Sequence, residues 1–99
     1  VAYIRENLGQ NISIETLCDK ACLSQAQFYR AFKQELGMSP TEFINRERIR
    51  RAKEILNHSS KTPTDACYEC GFNSLSYFNR IFRRCVGVSP SQYKKNHLH

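Results

Sequence analysis

Phe28-Tyr29-Arg30-Ala31-Phe32, followed by Gly37-Met38-Ser39-Pro40, returns fifty residues later as Phe78-Asn79-Arg80-Ile81-Phe82 and Gly87-Val88-Ser89-Pro90. A string of the form Phe-x-Arg-x-Phe-x4-Gly-x-Ser-Pro that recurs at a fixed interval marks one structural unit used twice. At about 100° per residue, Phe28, Ala31 and Phe32 fall on one face of a helix, as do Phe78, Ile81, Phe82 and Cys85. These read as core anchors. The opposite faces carry Ala26, Tyr29, Arg30 and Lys33 in the first copy, and Ser76, Asn79, Arg80 and Arg83 in the second. A helix fits the major groove of B-DNA, where Arg bonds guanine O6 and N7 and Asn bonds adenine N6 and N7. Residues at the start of such a helix reach bases first, which adds Gln25 and Leu75 as candidates. One polar stripe is ordinarily a solvated face. Two equivalent basic stripes on repeated units point instead to a reading surface.

Outward from the repeat, apolar spacing stays helical, with no sustained alternation for a strand. Val1, Ile4 and Leu8 share a face before Gly9. Ser13 is placed to cap a helix whose inner face is Ile14, Leu17, Cys18 and Ala21. Ser24 caps the first repeat helix, which Gly37 ends. Pro40 opens a long helix reaching about Asn57, with Phe43, Ile44, Ile49, Ala52, Ile55 and Leu56 apolar. The polar loop His58-Ser59-Ser60-Lys61 follows. Thr62-Pro63 then starts a helix containing Ala66, Cys67 and Cys70 and ending at Gly71. Ser74 caps the second repeat helix, and Pro90 opens a last helix with Tyr93. The expectation is all-α: seven helices forming two helix-turn-helix units, with a long linker helix between. The second turn is one residue longer than the first. The subdomains are expected at 1–39 and 58–99, with the linker at 40–57.

Lys and Arg outnumber Asp and Glu by 15 to 9, for a net charge of +6 in 99 residues. No acidic residue follows Glu69, whereas Arg80, Arg83, Arg84, Lys94 and Lys95 do. This balance suits a polyanion, and Ser24, Lys33, Ser74, Arg83, Arg84, Lys94 and Lys95 are the expected phosphate contacts. An anionic membrane is the weaker partner, because the apolar faces are needed for the core, and no run approaches the ~18 apolar residues of a span. On the long helix, Glu47 and Glu54 interleave with Arg46, Arg48, Arg50, Arg51 and Lys53, so much of that run reads as intrahelical pairing. The chain opens at Val1, with neither methionine nor signal peptide, and reads as a piece of a longer protein.

Five cysteines (Cys18, Cys22, Cys67, Cys70 and Cys85) form an odd set, better suited to a reducing cytoplasm than to a disulfide framework. Cys67-x2-Cys70 lacks the second pair that zinc ordinarily uses. Cys18-x3-Cys22 and Cys67-x2-Cys70 sit at helical spacings inside predicted helices, as small apolar fillers. The rival function is a thiol- or zinc-responsive protein using Cys67, Cys70 and Cys85. No nucleophile-base set is suggested: His58 falls in a loop, and His97 and His99 in the tail. The expectation is therefore no catalysis, no metal and no cofactor.

Gly71-Phe72-x3-Ser76-Tyr77-Phe78-x-Arg80-x-Phe82-x4-Gly87-x-Ser89-Pro90-x2-Tyr93 resembles the signature of the AraC/XylS family of bacterial transcription regulators. Arg48-x3-Ala52-x3-Leu56 resembles its linker helix, and the likeness extends over essentially the whole chain. The resemblance implies a seven-helix DNA-binding domain whose recognition helices enter two successive major-groove segments. It places base contacts on Ala26, Tyr29 and Arg30, and on Leu75, Ser76, Asn79 and Arg80. It also implies double-stranded DNA and RNA polymerase as partners, and an effector or signalling domain upstream of this chain. The first unit departs from the pattern. Cys22 stands where a turn glycine is usual and Ala26 has no hydrogen-bonding group, which leaves Tyr29 and Arg30 as its main readers.

Overall fold

The computed structural model describes residues 2–7 and 13–97, with side chains from Ile4 onward. Val1, Leu8, Gly9 and His99, which entered the expectations above, lie outside the described residues. The helices are α1 (Ala2–Glu6), α2 (Ile14–Ala21), α3 (Gln25–Leu36), α4 (Pro40–Leu56), α5 (Pro63–Glu69), α6 (Leu75–Val86) and α7 (Pro90–His97).

Local chemistry sets these boundaries. Ser13, Ser24, Ser39, Thr62 and Ser74 are extended N-caps whose side-chain oxygens accept from the backbone N–H three residues on. Each such bond satisfies a donor that the first helical turn leaves without a partner. Pro40, Pro63 and Pro90 hold the first helical position of α4, α5 and α7, where a missing N–H costs nothing. Gly37 and Gly87 end α3 and α6 at φ of 73° and 95°, and their N–H groups donate to Lys33 O and Arg83 O.

The molecule is elongated, 47 × 22 × 22 Å, because it has two cores in a row. The first gathers Ile4, Leu17, Cys18, Phe28, Phe43 and Ile44. The second gathers Ile49, Ala52, Leu56, Ala66, Cys67, Cys70, Phe72, Phe78, Ile81 and Phe82. Helix α4 serves both, with Phe43 and Ile44 in one core and Ile49, Ala52 and Leu56, from about its last two turns, in the other. A helix of 17 residues is about 25 Å long, enough to bridge two such clusters.

The repeat is geometric as well as sequential. Phe28 and Phe32 stand 5.5 Å apart by ring centroid, and Phe78 and Phe82 5.6 Å. Phe43 meets Phe32 edge-on at 5.6 Å, and Tyr93 meets Phe82 in the same way at the same distance. Helix α7 thus repeats the opening of α4. Both turns begin with a left-handed residue, Cys22 at φ 58° and Gly71 at φ 111°. From that residue to the serine cap the second turn is one residue longer, as expected.

Expectations fail at five residues. Ala21, Ala31 and Cys85 are exposed rather than part of the inner faces. Cys22 is neither helical nor packed: it caps α2 from the turn and faces solvent. Cys70 caps α5 instead of lying within it, although it is fully buried.

Candidate nucleic-acid interface

Gln25, Ala26, Tyr29, Arg30 and Lys33 are all exposed along one side of α3. Phe28 on the far side anchors them, and Tyr29 stands edge-on to the Phe28 ring at 6.4 Å. Ser76, Asn79, Arg80, Arg83 and Arg84 form the corresponding exposed face of α6, opposite the fully buried Phe78 and Phe82. Leu75 differs from its neighbours: it is half-buried and packs against the second core.

Ser24 and Ser74 sit at the two helix N-termini with their hydroxyls engaged in capping. Ser24 Oγ accepts from Gln27 N at 3.2 Å and donates to Gln27 Oε1 at 3.1 Å, and Ser74 Oγ accepts from Tyr77 N at 3.2 Å. Lys94 is half-buried, and its ammonium donates to the carbonyls of His58 and Lys61. That ties α7 to the loop after α4 and sets Lys94 apart from Lys95, which is exposed.

Charge is sorted over the surface. On α4, Arg46 pairs with Glu42, and Arg50 pairs with both Glu47 and Glu54, each at 3.1 Å. Arg5 reaches Glu47, and Lys61 reaches Glu69. Pairs whose partners are both exposed add little stability, typically ~0–1 kcal/mol each, and together these pairs offset only part of the positive charge of α4. Arg30, Lys33, Arg83, Arg84 and Lys95 have no acidic partner among the described residues. Cations without an acidic partner among the described residues thus lie on α3, α6 and α7, and also on α4 at Arg51 and Lys53, and a polyanion would be drawn to them.

Two side chains shape the second face without standing out by helical spacing. Tyr77 lies on the border between the inner and outer sides of α6, with the Arg80 guanidinium over its ring at 5.1 Å from the centroid. Its hydroxyl accepts from Asn45 Nδ2 of α4 at 2.9 Å. Nearby, Arg48 stands over Phe72 at 5.5 Å, and burial lowers its pKa, partly offset by Cys70 and Tyr77. The sequence signal for Tyr77 is its place in the signature Ser76-Tyr77-Phe78, not the repeat, since the equivalent residue in α3 is Gln27.

The thiols are not assembled for chemistry. Burial pushes the Cys70 thiol up to about 12 and also raises that of Cys67, which disfavours the thiolate that binds metal or attacks disulfides. Among the described residues, no three His, Cys, Asp or Glu side chains converge on a metal position. No helix among these residues is long and apolar enough to cross a membrane.

Two helix-turn-helix units sharing one helix, each turning a polar, cationic helix face outward, define a double-headed DNA-binding domain. A family model described as a helix-turn-helix domain matches residues 17–96, and the chain belongs to the AraC-type family of such domains. It is 37% identical over 92 residues to the probable transcriptional regulator LumQ of Photobacterium leiognathi, covering 93% of this chain and 37% of that protein. It is 32% identical over 95 residues to the transcriptional activator RhaS of Citrobacter koseri, covering 96% and 34% respectively. The chain thus spans about a third of the length of these curated relatives.

Among solved structures, the DNA-binding domain of AdpA in complex with a target DNA superposes with a TM-score of 0.91 at 29% identity, over 97% of this chain and 86% of that one. A probable AraC family regulator from Rhodopseudomonas palustris superposes at 0.88 and 31% identity, over 99% and 93%. The family consists of transcription regulators rather than enzymes, which agrees with the expectation of no catalysis.

Proposed function

We propose that this chain binds double-stranded DNA sequence-specifically, with α3 and α6 in two successive major-groove segments, and thereby regulates bacterial transcription. The observation that carries this reading is the equivalence of the two outward faces. Each is held by the same Phe-x3-Phe anchor, and each carries an arginine with no acidic partner among the described residues. Base choice falls to Gln25, Ala26, Tyr29 and Arg30 on the first unit, and to Leu75, Ser76, Asn79 and Arg80 on the second. Phosphates are met by Ser24, Lys33, Ser74, Arg83, Arg84 and Lys95; Lys94, expected among them, is held instead by the carbonyls of His58 and Lys61. In the complete regulator, a further domain binds the effector or receives the signal, RNA polymerase is the protein partner, and the setting is the cytoplasm.

Selection of bound fragments from a random duplex pool, followed by footprinting, tests the reading. One monomer should protect two boxes about 10 base pairs apart, one turn or roughly 34 Å of duplex. Protection of a single box would make one unit purely structural. Binding should also weaken with salt along a log–log slope of about −5 to −7, from release of some five to eight counterions. A slope near zero would end the nucleic-acid reading.

A further inference from the structure

The two outward faces differ at one position that the function above leaves unused. In α3, Gln27 closes a capping box, its Oε1 accepting from Ser24 N at 3.1 Å. In α6 that place belongs to Tyr77, which cannot close such a box and is held from three sides instead. Phe72 packs on its ring at 5.8 Å, Asn45 donates to its hydroxyl at 2.9 Å, and the Arg80 guanidinium lies over its ring at 5.1 Å. Asn45 follows directly on Phe43 and Ile44, both in the first core, so the bond ties the first unit's end of α4 to the second reading helix.

We propose that Tyr77, fixed by Asn45, is the platform that orients Arg80 for base reading. Both are positioning residues that set the base choice of the second unit. The inference rests on Arg80 being a reader. A free arginine on a helix surface loses much rotamer freedom when it grips a base. A ring beneath it restricts that freedom beforehand, and the contact uses the face of the guanidinium, leaving its in-plane N–H groups free for the paired bonds to guanine. An exposed cation–π contact corresponds to about two- to fivefold in an equilibrium constant. Among the described residues the first unit has no such device, because Gln27 offers Arg30 no aromatic face.

The test is a set of titrations with the duplex that this chain selects from a random pool, the same duplex with each base pair changed in turn, and a scrambled duplex. Melting curves accompany each variant. Arg80→Ala should lower discrimination at one base pair by about 5- to 100-fold. Tyr77→Leu should lower it at that same base pair by about two- to fivefold, leaving scrambled DNA unchanged, and should have no further effect in the Arg80→Ala background. Tyr77→Phe keeps the ring and loses only the Asn45 bond. It should cost about twofold there, match Asn45→Ala, and not add to it.

If Arg80→Ala leaves every base pair equally well discriminated, the reader assignment falls and the platform falls with it. If Arg80→Ala acts as expected but Tyr77→Leu weakens all duplexes alike, Tyr77 is a packing residue and only the platform is overturned. Should Tyr77→Leu fail to fold, Tyr77→Phe and Asn45→Ala decide: specificity unchanged in both overturns the proposal.

Discussion

The two units are copies in sequence but not in depth of burial, and the second is the better built. Phe78 and Phe82 are fully buried, whereas Phe28 is 9% exposed and Phe32 only half-buried. The cause lies in the turn and in the helices that close the core. The second turn inserts Phe72, 3% exposed, where the first presents Leu23, 36% exposed. Ile49, Ala52 and Leu56 of α4 also pack into the second core, while among the described residues the first core takes Phe43 and Ile44 from that helix. Among the described residues, one motif placed in two surroundings therefore gives a fully enclosed reading helix and a less enclosed one.

The largest expected effect separates these directly. Phe82→Ala empties a fully enclosed site and should cost roughly 3–5 kcal/mol, enough to unfold the second unit. Phe32→Ala should cost less than half as much, since its site is already open to water and can relax. Denaturant melts of both variants decide the matter, and equal losses would mean the first core is as tight as the second. Arg80→Ala is the internal control within α6. As a surface change it should stay within about ±0.5 kcal/mol of the parent.

Helix boundaries were legible because serine caps, proline starts and glycine ends are signals carried by the chain within a few residues. Burial at the margins was not. Ala31 and Ile81 occupy equivalent places, yet only Ile81 is buried, in the core that also holds Ile49, Ala52 and Leu56 of α4. Cys85 looked internal by helical angle, and its counterpart Glu35 was the available hint that the position faces water. On the reading faces, the list of polar positions could be read from spacing. The Asn45–Tyr77 bond could not, because it joins residues 32 apart on different helices. Periodicity describes one helix at a time and is silent on what its neighbour offers.

The next effect down concerns thiols enclosed by the second core. Cys67→Ala and Cys70→Ala should each cost about 1–2 kcal/mol near neutral pH through lost packing, with DNA affinity unchanged within a few-fold. The folded Cys70 pKa is raised to about 12, above its ordinary 9.0, so the unfolded chain releases this proton first. The associated stability is complete below pH 9 and is lost as pH rises towards 12. The gap between parent and Cys70→Ala should therefore narrow over that range. Exposed Cys22 and Cys85 should alkylate in the native state, and Cys67 and Cys70 only on unfolding. Stoichiometric zinc in the purified protein would count against this account.

The smallest effect is the one that could bring the first unit nearer the second. Both turns start with a left-handed residue, but the second uses glycine at φ 111° and the first uses Cys22 at φ 58°. A side chain in that region costs about 1–2 kcal/mol against the right-handed alternative, while glycine adopts it freely. Glycine also adds freedom to the unfolded chain, which offsets part of the gain. Cys22→Gly should thus stabilise the first unit by about 0.5–1 kcal/mol, and no packing is lost because Cys22 is exposed. Gly71→Ala should do the reverse and cost at least as much, since φ 111° lies beyond even the left-handed helical well. Hydrogen exchange of α2 and α3 amides gives the local readout. Slower exchange there in Cys22→Gly, with α5 and α6 unchanged, would place part of the difference between the units in the turn; unaltered exchange would assign all of it to the cores.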